Sequence, residues 1–176
     1  ASLAADRSVD KCVTGEAADY VATQLRTLPR FRDNTVRFVI FEDGRPATRT
    51  NRLALRLRDK LRDTITSAGG IRVAWQPGGP ATRLPMSGGD CEAAREHLLV
   101  GLEVTSLGGR FLLVSLRALD VVEQTWIPGF AREWRGELSR GQHRAYYCIA
   151  NDPYAVFRGL GDKTVKDAEG GIEHKP

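Results

Sequence analysis

Residues 98–119 read LLVGLEVTSLGGRFLLVSLRAL. Two extended apolar runs, 98–107 and 110–119, flank Gly108-Gly109. A glycine pair supplies the positive φ that a two-residue hairpin turn needs, so the stretch predicts an antiparallel hairpin. Turn residues follow from Asp120 to Gln124, then a third extended run over 125–138. Pro128 and Gly129 interrupt that run. Proline lacks a ladder donor, which predicts a bulge or an edge position there.

Upstream, residues 35–41 are largely apolar on both faces, as in an interior strand. Glu42-Asp43-Gly44-Arg45-Pro46 is turn chemistry. Leu53, Leu57, Leu61, Ile65 and Ala68 recur at helical spacing and predict a helix over 51–68. Gly69-Gly70 ends it, because glycine tolerates the left-handed conformation past a helix C-terminus. Residues 71–75 are expected to complete a βαβ unit, parallel to 35–41. An earlier helix is expected over 14–28, capped by Thr14 and stopped by Pro29. Residues 76–90 read as a loop and 91–97 as a short helix. Ser139 is expected to cap a last helix reaching about residue 150, which Asn151-Asp152-Pro153 ends. The expected fold is α/β (α+β). It has a mixed sheet with an initial βαβ unit, a C-terminal antiparallel meander and helices packed on the sheet. One domain over 1–158 and a polar tail over 159–176 are expected.

Composition bounds the class. At 176 residues, 41% hydrophobic and 27% charged, the chain is long enough for a real core and ordinary for a globular protein. No apolar run approaches the roughly 20 residues that cross a bilayer as a helix. The start, Ala1-Ser2-Leu3-Ala4-Ala5-Asp6, has the small residues found around signal-peptidase sites. It is expected to be either a processed N-terminus or an artificial boundary. Cys12, Cys91 and Cys148 form no CxxC, so spacing supports neither a zinc site nor a thioredoxin-like pair. In an exported protein they would give one disulfide and one thiol, with three pairings open. Otherwise they are small buried hydrophobes.

Two quoted halves carry a family resemblance. One is VRFVIF at 36–41, the helix with Leu57, Leu61 and Ile65, and GIRV at 70–73. The other is LVGLEV at 99–104 and GGRFLLVSLRALDVVE at 108–123. Together, over residues 35–125, they resemble the envelope domain shared by the TolB N-terminal region, the curli-secretion lipoprotein, FlgO-type flagellar proteins and the lipoprotein activators of penicillin-binding proteins. The glycine of that family's final turn is absent, and Glu123-Gln124 stand there. The resemblance implies a non-catalytic part of an envelope machine, periplasmic or secreted, with a protein partner.

No catalytic residue, metal ligand set or cofactor is assigned. His97, His143 and His174 lack partners at ligand spacing, and no Gly-x-Ser-x-Gly elbow is present. Cys148, five residues after His143, is not well placed to meet it on a helix. Gly78-Gly79-Pro80 and Gly88-Gly89 match no phosphate-loop pattern. Charge is more telling. Seven basic and two acidic residues lie between Arg45 and Asp63, a local +5 in a chain of net charge +4. On a helical projection Arg49, Arg52, Arg56 and Lys60 share one solvent-facing side, near free backbone N–H groups. That side is read as a surface for an anion or acidic partner, or as a solvated helix face. Nucleic acid is disfavoured, since its binding adds aromatic stacking platforms and aromatics are 7% here, mostly in strands. Trp126, Phe130 and Trp134 keep even spacing and would share one strand face unless Pro128-Gly129 shifts the register. They are read as core, or as an exposed aromatic edge that receives a partner strand.

The expected function is a non-catalytic interaction or assembly domain of a cell-envelope complex. The alternative is a regulatory or accessory domain of an enzyme-containing protein, with an independent hydrolase third.

Overall fold

The glycine-centred hairpin forms. Strand β4 (Leu98–Gly108) pairs antiparallel with β5 (Phe111–Asp120), Leu98 facing Asp120 and Ser106 facing Leu112. Gly109 and Arg110 make the turn, one residue later than the glycine pair suggests, and Leu107 is an extra, bulged residue. The computed structural model describes residues 8–31, 36–69, 98–121 and 123–152. The elements expected at 71–75, 76–90 and 91–97, the tail over 159–176 and the domain limit at 158 lie outside them.

Strand β6 (Thr125–Glu137) continues the meander against β5. On the other side of β4 lies β1 (Val36–Glu42), parallel to it, with Val36 facing Leu98. The second neighbour of β1 is the two-residue β2 (Arg45–Pro46), reached through Asp43 and Gly44, both at positive φ. That is the mirror-image turn a tight hairpin favours. The sheet order is β2-β1-β4-β5-β6, so it is mixed, parallel at one junction and antiparallel elsewhere.

Helices pack on one face of this sheet. The first starts earlier than expected, at Val9, with the Ser8 side chain accepting from the Lys11 N–H. Thr14 is no cap: its hydroxyl donates to the Asp10 carbonyl within the helix. Helix α1 (Val9–Cys12) runs through a π-helical turn (Val13–Ala17) into α2 (Ala18–Thr27). Sequence explains the π turn. Buried Cys12 and Val13 are followed by buried Ala17 and Ala18, a step of five residues rather than three or four. The wider turn absorbs the extra residue and keeps both groups on the core side.

Helix α3 (Arg52–Ala68) follows β3 (Arg49–Asn51), with the Asn51 side chain as cap and Gly69 at φ +74° as stop. Helix α4 (Arg140–Tyr146) begins with a full capping box between Ser139 and Gln142. It ends at Tyr146, short of the expected 150. The chain instead forms β7 (Ile149–Asn151), paired antiparallel with β3 in a two-stranded ribbon apart from the main sheet.

The main core joins Val21 and Leu25 of α2 and Leu53, Leu57 and Leu61 of α3 to Phe38, Val100 and Val114 of the sheet. A smaller cluster of Val39, Phe41, Leu99, Leu119 and Trp126 lies on the sheet's second face. The N-terminal helix also covers the outer edge of β6. A Cβ on Gly136 would meet the Val9 Cα at 2.7 Å. The Cys12 thiol donates to the Arg135 carbonyl at 3.4 Å, and the Tyr20 hydroxyl accepts from the Ala131 N–H at 3.2 Å. Covering an edge in this way removes a template for unwanted strand pairing.

Candidate functional site

The basic segment divides in two. Arg58 is buried, 1% exposed, and pairs with Asp152 at 2.6 Å and Asp59 at 3.0 Å. Arg62 pairs with Asp59 and Asp63, each at 3.0 Å. Lys60, expected in the exposed cluster, pairs with Asp10 at 2.9 Å. The other Asp10 oxygen accepts from the Gln142 amide at 2.8 Å, so Lys60 belongs to a junction of α1, α3 and α4. Arg49, Arg52 and Arg56 are exposed, and none forms an ion pair among the described residues. Arg49 lies on β3 rather than on the helix.

Two of the N–H groups expected to add to this surface are already satisfied. In the first turn of α3, the Arg52 N–H donates to the Cys148 carbonyl at 2.7 Å and the Ala54 N–H to the Asn51 side chain at 2.8 Å. The positive charge of this surface therefore lies on three guanidinium groups. Sequence reasoning missed what stands beside them: β7 and the end of α4 bring Tyr147, 67% exposed, and Ile149, 53% exposed, next to β3 and Arg52. Three-residue strands carry too short a pattern to signal this.

Trp126, Phe130 and Trp134 do not form one exposed edge. All three are buried. Leu119 faces Trp126 and Arg117 faces Ala131, so Ala118 alone opposes residues 127–130. This bulge at Pro128-Gly129 reverses the facing. Phe130 and Trp134 join the helix-side core against Tyr20, at ring distances of 5.7 and 5.5 Å. Trp126 lies on the second face, edge-on to Phe41 at 5.2 Å, with the Arg117 guanidinium 3.7 Å over its ring.

Around that stack is a cleft of about 160 Å³ lined by Phe41, Gly101, Glu103, Ser115, Arg117 and Glu133. The Phe41 ring occupies the place of a side chain on Gly101, and a Cβ there would overlap it. Gly101→Ala is expected to cost about 1–3 kcal/mol, as overpacking does. The loss is read as a lower urea midpoint at constant slope, and Phe41→Leu in the same chain should recover part of it. A second cavity, of about 430 Å³, lies between Leu28, Ile127, Pro128 and the Arg30–Asp120 ion pair.

Cys12 is buried and Cys148 is exposed, with no bond between them; Cys91 lies outside the described residues. His143 packs against Tyr147 at 5.3 Å. Among the described residues no group of three or more His, Cys, Asp and Glu is placed to hold a metal ion. Among them, too, no helix is long and apolar enough to cross a membrane. Comparison of the chain with known protein families, with curated proteins and with solved structures finds no match.

Proposed function

We propose that the chain is a non-catalytic interaction or assembly domain of a cell-envelope complex, periplasmic or secreted, which holds an acidic partner on Arg49, Arg52 and Arg56. One observation carries the acidic partner. Arg58, Lys60 and Arg62 are each neutralised by a carboxylate, while these three stay exposed with no ion pair among the described residues. Arg52 and Arg56 are like charges one turn apart, and both sit in the first turns of α3, where the macrodipole disfavours cations. A bound carboxylate relieves both costs. The envelope location rests on the sequence resemblance.

The test is fluorescence anisotropy with a labelled sixteen-residue peptide of alternating Glu and Gly. Micromolar binding that weakens with salt is expected. Reversing Arg49, Arg52 and Arg56 to Glu should reduce affinity at least tenfold. The same variant should melt no lower than the parent, because acids early in a helix suit the dipole. Unchanged affinity would remove the acidic-partner reading. Fractionation of cells carrying the full-length gene tests location separately, and recovery in the cytoplasm would remove the envelope part alone.

A further inference from the structure

We infer that the acidic partner is an extended peptide segment whose apolar side chain seats on Tyr147 and Ile149, beside the arginines. This rests on the acidic-partner reading above and adds the partner's second recognition element. Helix α4 runs antiparallel to the first half of α3. At one end Gln142 and Lys60 share Asp10, and at the other the Arg52 N–H meets the Cys148 carbonyl. The ribbon then sets Ile149 opposite Asn51 and Asn151 opposite Arg49. Tyr147 and Ile149 thus flank the residue whose carbonyl holds the start of α3.

Single exposed hydrophobics are ordinary. Here two of the three large ones among the described residues are neighbours, and the third, Leu107, is in the β4–β5 hairpin. Two side chains are too small a patch for a globular interface, which buries about 800 Å² per partner. They suit a peptide that places one apolar residue between acidic ones. Charge complementarity selects the acids. Single-stranded nucleic acid also combines charge with apolar contact, but it stacks bases on successive rings. Ile149 offers no ring, so the two exposed side chains supply one stacking surface rather than a series.

The experiment compares three labelled probes: the Glu-Gly peptide, the same peptide with Leu at its two central glycines, and a fifteen-nucleotide oligo-dT. The Leu peptide is expected to bind about tenfold more tightly than the Gly peptide, as burying one aliphatic side chain implies. Tyr147→Ser with Ile149→Ser should abolish that difference and leave Gly-peptide affinity unchanged. Both positions are exposed, so the fold should survive. Equal affinity of the two peptides for the parent protein would overturn the inference and leave the acidic-partner reading standing. Failure of both peptides to bind would overturn the two together. Oligo-dT binding that exceeds both peptides and depends on Tyr147 would assign the patch to nucleic acid instead.

Discussion

Asp152→Ala is expected to destabilise the fold by about 3–5 kcal/mol, the usual cost of stripping one partner from a buried ion pair. Arg58 and Asp152 side chains are 1% and 0% exposed and 2.6 Å apart. The pair joins the middle of α3 to the end of β7, and the Asp152 N–H also donates to the Thr48 carbonyl at 2.8 Å. Loss of the carboxylate leaves a guanidinium in a site that excludes water, with Asp59 as a more exposed neighbour. Urea unfolding followed by circular dichroism measures the loss. Replacing both residues with apolar ones, Arg58→Met with Asp152→Leu, should return most of it, because a buried pair seldom outperforms well-packed side chains. A cost below about 1 kcal/mol for Asp152→Ala would mean the pair behaves as a solvated surface bridge. Since the ribbon carries Arg49 and Ile149, the destabilised variant should also lose discrimination between the Leu and Gly peptides.

That pair shows where sequence reading stops. Helix α3 was legible because two local signals coincide: the leucine stripe and Gly69 as stop. The β4–β5 hairpin was legible for the same reason, with extended runs meeting at glycines. Helical spacing sets Arg58 apart from the solvent-facing Arg56, but not its partner, because the carboxylate that pairs with it lies 94 residues along the chain. The start of the N-terminal helix was hidden by its π turn, across which the apolar pairs Cys12-Val13 and Ala17-Ala18 stand five residues apart. The end of α4 was overruled by pairing with β3, a tertiary effect that helical spacing cannot register. The candidate surface was half legible. The arginines were visible as charge, whereas Tyr147 and Ile149 reach them only through the fold.

Phe130→Ala is expected to cost about 3–5 kcal/mol, as truncation of a buried phenylalanine does. Phe130 is 1% exposed and touches Tyr20 and Phe31 at ring distances of 5.7 and 5.6 Å. The site cannot easily collapse. Tyr20 is fixed over it by hydrogen bonds to the Gly129 carbonyl and the Ala131 N–H, at 3.4 and 3.2 Å. The cavity left behind should therefore persist, which places the cost toward the upper end of that range. The measurement also separates the two roles open to this segment from sequence. An aromatic that received a partner would leave stability unchanged and lower affinity when removed. Here the reverse is expected: a lower urea midpoint, with Glu-Gly peptide affinity unchanged per folded molecule, because Phe130 faces the helices and the arginines do not. The bulge is the physical reason. Trp126 and Ala131, five residues apart, share the face that even spacing would have given to Trp126 and Phe130. Deleting Gly129 should reverse the facing of one flank and cost more than Phe130→Ala, since every side chain on that flank would then point away from its layer.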